Sequence, residues 1–199
     1  MNIMITGFGR FMNHESNPTK ELLGLLPKSI HGHPLIKIEL PVIFDECFDV
    51  LLEHVNKHKP DAILMLGLAA GRRAITPERV AINLKDASAP DNVGNQPHDT
   101  PIIAGAPDAY FSRLPLRRIE QRLQDKNIPV AISNSAGLYV CNNLFYHVMH
   151  HLDQVGSNAV AGFIHVPYMD EQDKPADAFS LPLDRILEGI IDAIKCVIE

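Results

Sequence analysis

Several features are scarce or missing in this chain, and each absence excludes something. There is no run of basic residues: 18 Lys and Arg and 24 Asp and Glu are dispersed to a net charge of −6. Nothing in that pattern tracks a phosphate backbone, so nucleic acid is not an expected partner. No apolar stretch nears the ~20 residues of a membrane span. The opening MNIMITGFGRF has neither a basic leader region nor a long apolar run, so no secretory leader or membrane association is expected. Cysteine is sparse and odd in number, with Cys47, Cys141 and Cys196 widely spaced. That is not a disulfide framework; it suits a reducing cytosol, and the cytoplasm is the expected location. No repeat, linker or low-complexity tract divides the 199 residues, which are expected to form a single domain over 1–199.

What is present reads as an alternating α/β protein. Hydrophobic residues at 46% and charged residues at 21% are an ordinary balance for a packed core. The apolar runs 1–8, 61–68, 129–137 and 158–167 look like strands buried on both faces, as in a parallel sheet. A fifth candidate, 34–44, shows partial alternation. Helical periodicity marks a segment from Asp45, its expected N-cap, through Phe48, Leu51, Leu52 and Val55. Others cover 114–127, the stretch after Cys141, and 182–199. Strand and helix alternate, which predicts a sandwich built on a twisted, largely parallel sheet. Residues 69–113 break the rhythm, and a loop-rich segment of that length is usually functional.

Three residues carry potential chemistry. Cys141 falls between a predicted strand and a predicted helix, where the macrodipole favours thiolate and free N–H groups can hold an oxyanion. The plainer reading is a buried core cysteine. His165 ends an apolar run, and in open parallel sheets sites gather at the carboxyl ends of strands. It can activate a thiol, or be a satisfied structural histidine. Glu78, in ITPERVAIN, can orient an imidazole, or belong to a helix start capped by Thr76 with Pro77 first. His147, His150 and His151 lie at i, i+3, i+4, a spacing open to a metal but better explained by a packed or solvated face. The GFG of the opening is too little for a dinucleotide fingerprint. Cys47 and Cys196 read as helix packing.

Four segments, in order, resemble the pyroglutamyl peptidase I (pyrrolidone-carboxylate peptidase) family of cysteine peptidases. They are TGFGRFMNHESNP at 6–18, GRRAITPERVAINLKDA at 71–87, SNSAGLYVCNNLFY at 133–146 and GFIHVPY at 162–168. The resemblance covers nearly the whole chain. It implies an α/β/α sandwich, Cys141 as nucleophile, His165 as general base and then acid, and Glu78 as the residue orienting His165. It also implies a slot for the pyroglutamyl ring lined by Phe8, Phe11, Tyr139 and Val140. Expected substrates are small peptides with N-terminal pyroglutamate; the expected assembly is a homo-oligomer, commonly a tetramer, and no metal or organic cofactor is implied. The chain departs from the family's TGFEPFGG opening at Gly9-Arg10 and Met12-Asn13. It also departs from a common DAR, reading Asp86-Ala87-Ser88, so a basic residue often near the site is missing. A thiol deacylase acting on another small N-acyl group would keep the three residues and alter the slot. A non-catalytic binder of pyroglutamyl termini would have no need of a thiol.

Overall fold

In a computed structural model, residues 1–11 and 16–199 are described; Met12 and Asn13, two of the departures above, lie outside the described residues. The elements run β1 (Ile3–Phe8), α1 (Pro18–Leu25), β2 (Ser29–Ile30), β3 (His33–Leu40), α2 (Glu46–His58), β4 (Ala62–Leu68), β5 (Thr76–Pro77) and β6 (Val80–Ile82). They continue through β7 (Ala109–Phe111), α3 (Leu116–Asp125), α4 (Val140–Gln154), β8 (Val160–Val166), β9 (Tyr168–Met169), β10 (Ser180–Leu181) and α5 (Leu183–Ile198). One central sheet has the order β2-β3-β1-β4-β8-β5. Its inner strands β3, β1, β4 and β8 are parallel, while β2 and β5 pair antiparallel at the two edges.

The inner strands are apolar on both faces because helices cover both. On one side Ile3, Ile5, Leu64 and Ile164 pack with Leu22 of α1, Ile119 of α3 and Ile190 of α5. On the other, Met4, Ile63, Met65 and Phe163 pack with Leu51 of α2 and Leu144 and Phe145 of α4. The architecture is therefore an α/β/α sandwich with a mostly parallel mixed sheet. Among the described residues, no helix is long and apolar enough to cross a membrane.

Local structure departs from expectation in three places. The run 129–137 is not a buried strand: only Val130 and Ser133 form isolated bridges, to Ile75 and Glu78. Pro129, Ala131, Asn134 and Ser135 are exposed, so the segment runs along the sheet's edge, where its apolar residues cannot be covered twice. Asp45 precedes α2 but does not cap it; with φ at 60° its carboxylate faces Lys85, His147 and Asn143 instead. The His147 bond, followed by those from Lys85 and Asn143, holds that carboxyl well below the usual range. Thr76-Pro77 begins no helix: it is the edge strand β5. Helix α1 carries no signal strong enough to have been expected, although Asn17 caps it through Thr19 N–H and Pro18 opens it. Cys47 in α2 and Cys196 in α5 are fully buried, as packing residues.

Candidate active site

The site forms at the carboxyl ends of β1, β4 and β8, on the face covered by α2 and α4. Register puts Gly67 of β4 beside His165 of β8, and paired residues in parallel strands face the same side. A Cβ built on Gly67 would lie 2.9 Å from Cys141 Sγ and 2.8 Å from the Phe163 ring. The absence of a side chain at Gly67 is thus what lets the Cys141 thiol settle against β4, one strand from the imidazole. Cys141 sits in the first turn of α4, as expected, but a bridging loop, not a strand, leads into it. No side chain caps that turn.

Glu78 reaches the same point from the sheet edge. Its N–H donates to Phe163 O at 2.9 Å, continuing the antiparallel course of β5 along β8. Its carboxylate is 0% exposed, and Oε1 accepts from His165 Nδ1 at 2.7 Å. The same oxygen accepts from Arg72 Nη1 at 2.5 Å. Oε1 is therefore the acceptor, Nδ1 carries the hydrogen, and Nε2 of a neutral His165 is left as a base.

Burial acts on both groups. It pushes the Cys141 thiol up to about 12, a trend to which Glu78 adds and which Arg72 opposes. Burial also lowers His165, against a raising influence from Glu78, with Arg72 lowering it further. Desolvation thus works against the thiolate preference expected of a helix start and against a charged imidazole.

Beside Cys141 opens a cavity of about 150 Å³, lined by Phe8, Phe11, Tyr139 and Val140 together with Val42 and Tyr168. All four slot residues expected from the sequence meet there. Tyr139 is fixed by edge contact with Phe44 at 5.1 Å, by Phe11 at 5.5 Å and by its hydroxyl donating to Pro90 O at 2.9 Å. Burial pushes the Tyr139 hydroxyl up to about 12, so it stays neutral. Ser88 is exposed and is not part of this lining. Gly9 and Arg10 contribute their backbone carbonyls, Gly9 O accepting from Asn17 Nδ2 and Arg10 O from Asn92 Nδ2. The three helix histidines do not converge: His147 bonds Asp45 and stacks on Phe48, and His150 meets the Tyr110 hydroxyl. Arg72 was not singled out from the sequence, although it lies in the same GRRAITPER segment, six residues before Glu78.

A thiol one strand from an imidazole, a buried carboxylate on that imidazole and an apolar slot alongside define a cysteine hydrolase on an α/β sandwich. Comparison with known proteins narrows the class. The family described as pyroglutamyl peptidase matches residues 1–199. A pyrrolidone-carboxylate peptidase of Streptococcus pyogenes serotype M4 is 45% identical over 201 residues, covering 100% of this chain and 93% of the relative. The crystal structure of pyroglutamyl peptidase I from Bacillus amyloliquefaciens superposes with a TM-score of 0.95 at 40% identity, over 100% of this chain and 95% of that one. A mutant pyrrolidone carboxyl peptidase from P. furiosus gives 0.95 at 39% identity, over 100% and 99%. The chain belongs to the pyroglutamyl peptidase family.

Proposed function

We propose that this protein is a pyroglutamyl-peptidase I that hydrolyses the bond after an N-terminal pyroglutamyl residue, with Cys141 as nucleophile, His165 as general base and acid, and Glu78 orienting His165. The observation that carries the reading is the junction of a Cys141–His165–Glu78 rim with an uncharged slot at one point of the sheet. As the thiol attacks the pyroglutamyl α-carbonyl, its proton passes to His165, and Glu78 stabilises the imidazolium that forms. First-turn N–H groups of α4 are available to the oxyanion. His165 then protonates the leaving amine. Water, deprotonated by His165, attacks the thioester, and the thiol leaves with pyroglutamate released.

Among the described residues the slot is lined by no charged side chain, and that sets specificity. Phe8, Phe11, Tyr139 and Val140 suit a flat, neutral lactam. A free α-amine or a glutamate carboxylate would be buried there unpaired, at a cost of several kcal/mol. We further assign residues 1–199 to one working domain, acting on small pyroglutamyl peptides as a homo-oligomer, a tetramer by analogy with the family, in the cytoplasm.

Release of fluorophore from pyroglutamyl-aminomethylcoumarin by reduced protein is the direct test, beside glutamyl and prolyl analogues. Turnover confined to the pyroglutamyl substrate is expected. Equal turnover of the analogues would remove the slot assignment, and absence of turnover from folded, reduced protein would remove the activity. A second expectation concerns Gly67. Gly67→Ala adds a methyl 2.9 Å from Cys141 Sγ, so the thiol must shift. Because misplacement of about 1 Å costs ~10²-fold, kcat is expected to fall about a hundredfold, with a smaller change in KM. Steady-state kinetics at matched folded fraction would decide it, and an unchanged kcat would mean the thiol need not rest against β4.

A further inference from the structure

We propose that Arg72 is a positioning residue of this site, holding Glu78 and the loop that leads into Cys141 in one arrangement and setting the pH range over which the Cys141–His165 pair works. The inference rests on the catalytic reading of that pair. Arg72 follows β4 by four residues, at the end of a tight turn in which Gly71 takes a φ of +84° and Arg72 N–H donates to Ala69 O. Glycine is the residue that adopts that backbone freely, and the turn sends the Arg72 side chain back across the sheet's end.

Its guanidinium then meets two segments and, through Thr76, a third. Nη1 donates to Glu78 Oε1 at 2.5 Å and to Thr76 Oγ1 at 2.6 Å, both from the glutamate segment. Nη2 donates to Ser135 O at 2.7 Å, on the loop six residues before Cys141. Thr76 Oγ1 in turn donates to the carbonyl of His165 at 3.5 Å. One planar cation thus ties together the stretches that deliver carboxylate, imidazole and thiol, which a compact ammonium cannot do.

The charge matters as much as the geometry. Glu78 is fully buried, and a neutral His165 offers it a hydrogen bond but no countercharge. Arg72, 26% exposed, supplies the countercharge through the same oxygen that His165 uses. Among the described residues, the titratable and charged groups around the pair are Glu78, Arg72, Tyr139 and Tyr168, with Cys47 of α2 behind Cys141. Burial raises Tyr139 and Cys47, which leaves Arg72 as the cation in this group. Arg72 disfavours imidazolium at His165 and favours thiolate at Cys141. Removing its charge moves both proton affinities upward, so the acid limb of activity rises whichever group governs it.

The test compares Arg72→Gln, Arg72→Lys and the control Arg79→Gln in kcat/KM against pH and in the pH dependence of Cys141 alkylation by iodoacetamide. Arg79 stands one residue after Glu78, yet its side chain bonds Asn134 Oδ1 at 2.8 Å. Arg72→Gln is expected to move the acid limb up by about one pH unit and to lower neutral-pH kcat/KM at least tenfold. Alkylation is expected to shift in the same direction. Arg72→Lys keeps the charge without the fork, so kcat falls several-fold at an almost unmoved acid limb. Arg79→Gln leaves the profile in place. A merely structural role would scale the Arg72→Gln profile without shifting it, and that result, or an equal shift in Arg79→Gln, overturns the proposal. If Arg72→Gln does not fold, a wild-type kcat in Arg72→Lys overturns the positioning role. A wild-type protein without pyroglutamyl turnover would instead remove the catalytic reading, while the alkylation shift still reports on Arg72.

Discussion

Cys141→Ser is expected to lose at least about 10⁴-fold in kcat while folding and binding as the wild type does, because single losses in such catalytic units cost roughly that much or more. The swap changes one atom in a first-turn position of α4 and adds no volume against Gly67. The slot is lined mainly by other side chains, so affinity for the product pyroglutamate is expected to change little. The chemistry changes sharply: a serine hydroxyl is harder to ionise and less nucleophilic than a thiol, and His165 is tuned toward the neutral form by burial. Single-turnover kinetics with a pyroglutamyl ester or amide would read the loss directly. Cys47→Ser and Cys196→Ser provide the contrast, since both thiols are buried in helices away from the slot lining. Retained turnover in Cys141→Ser, or iodoacetamide inactivation that modifies only Cys47 and Cys196, would displace Cys141 from the nucleophile's place.

Glu78→Gln is expected to be the next most damaging change, lowering kcat by up to about 10⁴-fold, the loss seen when a triad carboxylate becomes an amide. An amide can still lie beside His165 Nδ1, but its NH2 can also turn toward the ring and favour the wrong tautomer. The charge that stabilises imidazolium during attack is lost in either orientation. The amide would also leave the Arg72 guanidinium without its carboxylate partner. Glu78 raises both His165 and Cys141, so its neutralisation is expected to move the acid limb of kcat/KM downward. That is opposite in sign to the shift expected from Arg72→Gln, because the two residues act on the pair with opposite charge. A pH–rate profile of each single variant separates them. Matching shifts of the same sign would show that the pair responds to local disorder instead of to charge.

The departures at Gly9-Arg10 and Ser88 take on a different weight in three dimensions. Ser88 is exposed and outside the slot lining, and Gly9 and Arg10 contribute carbonyls to bonds from Asn17 and Asn92. Among the described residues the slot walls come from Phe8, Phe11, Val42, Tyr139, Val140 and Tyr168. The cation that does reach the site is Arg72, at Glu78.

The sequence by itself determined the layered α/β class, because apolar runs separated by amphipathic segments can be covered only by helices on both faces of a sheet. It also placed Cys141 at a helix start and His165 at a strand end, since strand length and helix periodicity are local properties. Tertiary structure decided the rest. The run 129–137 has a strand's composition but meets the short edge strand β5 only through isolated bridges, so among the described residues it is no full strand of the sheet. Asp45 has a cap's residue type, yet Lys85, His147 and Asn143 draw its carboxylate away. The helix dipole at Cys141 is a local effect, whereas the burial that opposes it comes from packing against Gly67 and the slot. Arg72 shows the division most directly: its bonds reach four and six residues along the chain but also sixty-three residues away, to Ser135 O. No local pattern encodes that last contact, because it exists only once the edge of the sheet has brought the glutamate strand and the cysteine loop together.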